Sequence, residues 1–115
     1  GQIAGEAPGL YLIYPQGNPI SVTEDSPYVQ IGESKYGRPI LDRGVRFQVT
    51  TLEEASKFAL ISLDSTMRSN VTVGPPIDLV VYRRDEFHLK RYRRFTQKDP
   101  DLQRIHFQWE HALRK

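Results

Sequence analysis

Three observations predict an α+β fold with antiparallel sheets for this chain. First, β-forming and helical runs are segregated along the sequence. Strands come first, then helices, then strands, then a last helix, instead of the alternation of βαβ units. Second, a long helical pattern opens on a capping box, Thr51 with Glu54 three residues on. In such a box each side chain satisfies a backbone N–H that the first turn leaves without a partner. Third, Gly74-Pro75-Pro76 forbids helical continuation, and residues 77–82 that follow are apolar with few charges, so at least one face of that strand is core.

Taken in order, residues 1–9 are small and polar and read as a loop or a fraying start. Leu10-Tyr11-Leu12-Ile13-Tyr14 is rich in β-formers. Pro15-Gln16-Gly17-Asn18 is a turn, because glycine takes a positive φ at no steric cost. Residues 20–23 return, so 10–23 reads as a hairpin. Glu24-Asp25-Ser26-Pro27 breaks it, and Tyr28-Val29-Gln30-Ile31 is a further short strand ending at Gly32. Gly32-Glu33-Ser34-Lys35-Tyr36-Gly37 is a polar loop. A short helix is expected over 39–43, with Pro39 in its first turn, where a missing N–H costs nothing, and Gly44 as its stop.

In the long helix, Leu52, Ala55, Ala59, Leu63 and Met67 recur at helical spacing, and Phe58 and Ile61 widen the apolar arc. Ala55, Ala59, Ser62 and Thr66 form a row of small side chains that lets another helix come close. Glu53 with Lys57, and Asp64 with Arg68, are i,i+4 pairs in the favourable order, each contributing roughly 0.2–0.5 kcal/mol. The helix is expected to stop near Ser69-Asn70. Beyond the strand at 77–82, Arg83-Arg84-Asp85-Glu86 reads as a charged hairpin turn and 87–92 as the return strand. Asp99 and Pro100 open a last helix as cap and first helical residue. Leu102, Ile105, Trp109 and Leu113 give it an apolar stripe, and Arg114 and Lys115 suit its negative C-terminal end.

A length of 115 residues fits one domain or part of one. The absence of cysteine excludes a disulfide scaffold, a thiolate zinc site and a cysteine nucleophile together, and fits a reducing cytoplasm. No apolar run approaches ~18 residues, so no membrane-spanning helix is expected. No basic-then-apolar start is visible, so no signal peptide is expected. A start at Gly1 without an initiator Met reads as a processed product or a fragment.

Candidate chemistry is sparse. Arg83, Arg84, Lys90, Arg91, Arg93, Arg94 and Lys98 are interleaved with Phe87, Tyr92 and Phe95, a footprint that single-stranded nucleic acid can use. The net charge of +2 favours the plainer reading, an exposed strand and loop whose charges are solvated or paired. His106 and Glu110 are four apart on the last helix, but with His88 and His111 they complete no coordination shell of about four ligands, so no metal is expected. Ser34 lies in a glycine-flanked loop, and Ser69, Asn70 and Thr72 lie at the break after the long helix. Any of them could orient a catalytic group, although residues of this kind at helix ends usually cap or turn the chain. No Ser/His/Asp set can be assembled from spacing, and Gly74 stands alone among prolines, so no phosphate loop and no cofactor are expected.

Four blocks carry a family resemblance. Leu10-Tyr11-Leu12-Ile13-Tyr14-Pro15-Gln16-Gly17-Asn18, Gln30-Ile31-Gly32-Glu33-Ser34-Lys35-Tyr36-Gly37, Ser62-Leu63-Asp64-Ser65-Thr66-Met67-Arg68-Ser69-Asn70 and Gly74-Pro75-Pro76-Ile77-Asp78-Leu79 span most of residues 10–82. Together they resemble Anbu, the ancestral β-subunit, a bacterial proteasome-like threonine peptidase; the match is to the C-terminal half of such a subunit. The resemblance implies an N-terminal nucleophile hydrolase fold, an αββα sandwich with two antiparallel sheets between helix layers. Residues 1–115 would be the C-terminal portion of that single domain. The family's nucleophile is a threonine at the mature N-terminus whose own α-amine, with a pKa of about 7.7–8.0, takes the proton while a lysine tunes the site. Gly1 carries no side-chain nucleophile, so the threonine, its aspartate and its lysine are expected in a preceding half, and this chain alone is expected to be inactive. The family's Gly-Ser-Gly loop is matched by Gly32, with Glu33 in the serine place and Ser34 one later. Its aspartate and serine near the end of the long helix are matched by Ser69 or Asn70 and by Thr72. The resemblance further implies homo-oligomers in a ring or spiral, a peptide or unfolded-protein substrate, and no cofactor, metal or membrane. The rival readings are a non-catalytic assembly module of the same fold and a nucleic-acid-binding domain.

Overall fold

The computed structural model describes residues 1–113; Arg114 and Lys115, expected to complement the last helix, lie outside the described residues. The chain runs β1 (Tyr11–Ile13), β2 (Pro19–Ser21), α1 (Arg38–Gly44), α2 (Leu52–Ser69), β3 (Ile77–Val81), β4 (Arg91–Phe95) and α3 (Pro100–Leu113). The strands form two antiparallel pairs, β1 with β2 and β3 with β4. Mixed helices and antiparallel strand pairs are what the α+β prediction requires.

The hairpin pairs Leu12 with Ile20. Its turn is closed by the Gly17 N–H donating to the Tyr14 carbonyl at 2.8 Å, with Gly17 at φ 91°. Both halves of the capping box form on α2: the Thr51 hydroxyl accepts from the Glu54 amide at 3.1 Å, and the Glu54 carboxylate faces the Thr51 amide at 3.5 Å. The helix ends at Ser69 with Asn70 as its C-cap.

Two expected strands differ from the structure. The return strand starts at Arg91, not at residue 87, in a register that pairs Val81 with Arg91 and Ile77 with Phe95. Residues 82–90 form a loop instead, in which side chains accept from two backbone N–H groups, those of Asp85 and Phe87. The Gln2 amide oxygen accepts from the Tyr82 hydroxyl at 2.6 Å and from the Asp85 N–H at 2.8 Å. The Tyr82 hydroxyl in turn accepts from the Phe87 N–H at 3.2 Å. Residues 28–31, also expected as a strand, form no regular element. No backbone hydrogen bond engages them among the described residues, since β-propensity without a neighbouring edge makes no ladder.

One small core joins four elements: Leu60 from α2, Ile77 from β3, Phe95 from β4 and Leu102 from α3, with Met67, Leu79 and Ile105 packed against it. The apolar stripe of α3 is thus used at Leu102 and Ile105, while Leu113 stays exposed. The row of small residues on α2 is used by the entrance to α1. A Cβ on Gly37 would lie 2.1 Å from Ser62 Oγ, 2.9 Å from the Ser62 carbonyl oxygen and 3.1 Å from Thr66 Oγ1, so only glycine allows this approach. The Asp64–Arg68 pair expected within α2 is replaced by contacts to α3, where Asp64 meets His106 and Arg68 meets Glu110. Much apolar surface stays open, including Tyr11, Ile13, Ile20, Ile31 and Val80. Among the described residues no helix is long and apolar enough to cross a membrane.

Candidate functional site

The residues singled out for active-site support fall into two groups, one on each side of the α1–α2 contact. The first is the loop entering α1. Gly32 sits at φ 80° and turns the chain. The Glu33 carboxylate then folds back to accept from the Lys35 N–H at 3.0 Å. The Ser34 carbonyl accepts from the Arg38 N–H at 3.0 Å, which ties the loop to the first turn of α1. Both side chains are half-buried.

The second group is the end of α2. Ser69 is exposed as its last residue. The Asn70 side-chain oxygen accepts from the Thr72 N–H at 3.0 Å and from the Thr72 hydroxyl at 2.6 Å. This is an Asx turn, in which a side chain imitates a backbone turn. Gly37 rests against Thr66, and the Asn70 N–H donates to the Thr66 carbonyl at 2.9 Å. The loop therefore leaves its turn about one helical turn from Asn70. Among the described residues no hydrogen bond joins Glu33 or Ser34 to Ser69, Asn70 or Thr72. These groups can orient a neighbour by accepting or donating hydrogen bonds, but they include no nucleophile paired with a base.

Sequence spacing missed a polar cluster between α2 and α3. The nearly buried Asp64 carboxylate lies 2.8 and 3.0 Å from His106 Nδ1, across 42 residues. His106 Nε2 is 3.5 Å from a Glu110 carboxylate oxygen, and Glu110 also binds Arg68. The only local signal was His106 and Glu110 on one helical face; Asp64 could not be joined to them without the fold. Among the described residues no group of three or more His, Cys, Asp or Glu side chains is arranged to hold a metal.

The basic cluster is extensively ion-paired. Arg91 reaches Glu86 at 2.8 Å and Arg94 reaches Asp78 at 2.7 Å. Arg93 reaches Asp99 at 2.9 Å and Asp101 at 2.7 Å while lying over the Phe95 ring at 4.3 Å. The titrations follow these contacts. Hydrogen bonds from Arg94 and then from the Tyr92 phenol hold the Asp78 carboxyl below its ordinary value, and Asp78 raises Arg94 in return. Arg91 likewise lowers Glu86. At Asp99, burial works upward, but Arg93 and the amides of Asp101 and Leu102 outweigh it and bring the carboxyl down. Tyr28 is pushed up, chiefly by burial and then by its hydrogen bond to the Asp42 carboxylate. It lines a cavity of about 310 Å³ with Leu12, Ile20, Gln30 and Arg38.

Comparison with known proteins adds what the isolated groups cannot. No family model matches this chain, and no curated protein does. Solved structures match along nearly its whole length. Anbu from Hyphomicrobium sp. strain MC1 is 51% identical over 98% of this chain and 48% of that chain, with a TM-score of 0.94. Anbu, the ancestral beta-subunit, from Yersinia bercovieri is 48% identical over 97% of this chain and 47% of its own, with a TM-score of 0.93. The helical assembly of the Anbu complex from Pseudomonas aeruginosa contains a chain 53% identical over 98% of this one and 46% of that one, with a TM-score of 0.93. With identity of 48–53% over 97–98% of its residues, the chain is Anbu-like and spans about half the length of the Anbu chains it matches.

Proposed function

We propose that this chain is the C-terminal portion of a proteasome-like, threonine-type peptidase subunit and forms half of an N-terminal nucleophile hydrolase sandwich. The observation that carries the reading is the overlay on Anbu at a TM-score of 0.94 and 51% identity, over 98% of this chain and 48% of that chain. In this reading the attacking threonine hydroxyl, its α-amine base and its lysine come from the other half. The hydroxyl adds to the peptide carbonyl while the α-amine takes its proton; the C–N bond then breaks as that proton passes to the departing amine, and water hydrolyses the resulting ester to free the acyl product and regenerate the hydroxyl. Glu33 and Ser34 on the loop, with Ser69, Asn70 and Thr72 at the end of α2, act as positioning residues beside that threonine. The chain alone then cleaves nothing. The Pseudomonas Anbu structure is described as a helical assembly, which supports a homo-oligomeric subunit here too, acting on peptides or unfolded chains in the cytoplasm.

A fluorogenic peptide assay on the Anbu-length protein tests this. Hydrolysis that vanishes when the mature N-terminal threonine is replaced by alanine is the expected result; hydrolysis that survives the replacement overturns it. A second reading, a non-catalytic assembly module of the same fold, draws on one feature. The Asn70 oxygen is already engaged by both the amide and the hydroxyl of Thr72. Absence of hydrolysis in the intact assembly across a varied peptide set selects that reading.

A further inference from the structure

Asp64 and His106 meet across the α2–α3 contact in an arrangement that depends on one proton. The Asp64 carboxylate is nearly buried, and both of its oxygens lie within hydrogen-bond distance of His106 Nδ1, at 2.8 and 3.0 Å. An ionised carboxylate only accepts, so Nδ1 carries a hydrogen. The other ring nitrogen, Nε2, is 3.5 Å from a Glu110 carboxylate oxygen, again an acceptor. A neutral imidazole protonated at Nδ1 turns a lone pair toward that oxygen, whereas the imidazolium turns an N–H toward it. Charge points the same way. Arg68 pairs with Glu110, so the Asp64 charge, shielded from water, has His106 as its counter-charge. With a neutral ring, Asp64, Glu110 and Arg68 sum to one excess negative charge; with the imidazolium the cluster sums to zero.

We propose that Asp64, His106, Glu110 and Arg68 form a pH-sensitive clasp that holds α3 on α2 while His106 is an imidazolium. The charged groups facing the ring are Asp64 from α2 and Glu110 from its own helix, with Arg68 from α2 on the far side of Glu110. The ring side chain is 35% exposed, so it trades protons with solvent without unfolding. Histidine changes charge between about pH 5 and 8, so the clasp is closed at the lower end of that range and loosens toward the upper end. The sign follows from linkage. A proton held when α3 is docked and given up when it is not stabilises docking at the lower pH, and that contribution is lost as pH rises. Asp64 and Arg68 lie in the last two turns of α2, just before Asn70 and Thr72. Closing the clasp therefore braces the end of α2 that carries the candidate positioning residues. The clasp stands whether or not those residues serve a peptidase.

Thermal unfolding of the Anbu-length protein at about pH 6 and about pH 8 tests this, each variant being compared with the parent so that other titrating groups cancel. Relative to His106→Gln, which keeps a donor but carries no charge, the parent is expected to lose about 2 °C or more of Tm at the higher pH. Asp64→Asn should flatten the profile as far as His106→Gln does, and the double variant no further, because each removes the same interaction. Amide exchange, corrected for its intrinsic pH dependence, locates the effect. Residues 105–113 of α3 are expected to lose about fivefold of their protection at the higher pH in the parent, and under about twofold in His106→Gln. Equal pH profiles in the parent and His106→Gln overturn the proposal. So does an Asp64→Asn protein that keeps the parent's profile, since the ring then does not act through α2. If His106→Gln fails to fold, the comparison of Asp64→Asn with the parent decides alone.

Discussion

A methyl group on residue 37 would lie 2.1 Å from Ser62 Oγ and 2.9 Å from the Ser62 carbonyl oxygen. The first obstacle is the tip of a short side chain, but the second is backbone in the middle of α2 and cannot move aside cheaply. Gly37→Ala is therefore expected to destabilise by about 1–3 kcal/mol, the ordinary cost of overpacking, as read by urea unfolding. Adding Ser62→Ala removes the nearer oxygen and leaves the carbonyl, so it should restore only part of the loss. Full restoration would mean that the hydroxyl alone sets the approach. A second residue-scale expectation concerns Thr51, whose hydroxyl accepts from the Glu54 amide at 3.1 Å. Thr51→Ala loses that acceptor and should cost about 1 kcal/mol, visible as a lower midpoint in the same experiment.

At the scale of elements, α3 is held at its first turn by Asp99, which accepts from the Asp101 amide at 2.9 Å and binds Arg93 across the surface. Its carboxyl is held below the ordinary value in the folded state, so unfolding takes up a proton wherever the two states differ. The stabilising contribution is complete above the ordinary carboxylate range and is lost as pH falls from about 3.9 downward. Thermal unfolding followed across that window should therefore lose part of its acid sensitivity in Asp99→Asn, which keeps a cap acceptor but no charge. An unchanged pH profile would show that Arg93 does not sense the charge.

The same element shows what a sequence can disclose. The caps of α2 and α3 and the Gly74-Pro75-Pro76 stop are local rules, so those helices were legible within a residue or two. The strand at 87–92 was not: the loop before it is held at the Asp85 amide by Gln2, far away in the chain, and β4 begins only at Arg91. For the candidate site, the Asx turn at Asn70 and Thr72 was visible as residue types. Its nearness to the loop after Gly32 depends on the packing of α1 on α2, and Asp64 with His106 depends on the packing of α2 on α3. Contacts across 42 residues leave no periodic trace.

For the molecule as a whole, the core is narrow: Leu60, Ile77, Phe95 and Leu102 each come from a different element. Removing any one of them loosens the others, so Phe95→Ala is expected to cost about 3–5 kcal/mol, a large part of the stability of a typical domain. The open surface makes the opposite contrast. Ile13 is 68% exposed in this chain, and deleting its branched end removes almost nothing that is buried. Ile13→Ala in the 115-residue polypeptide should thus stay within about 0.5 kcal/mol of the parent. In the Anbu-length protein the same substitution is expected to cost about 2 kcal/mol or more, the figure for an isoleucine whose surroundings have closed over it. Parallel denaturant titrations of both lengths read the difference directly. Equal, small effects in the two would mean that the hairpin faces water in the complete subunit, and the surface left open here would then need no second half to cover it.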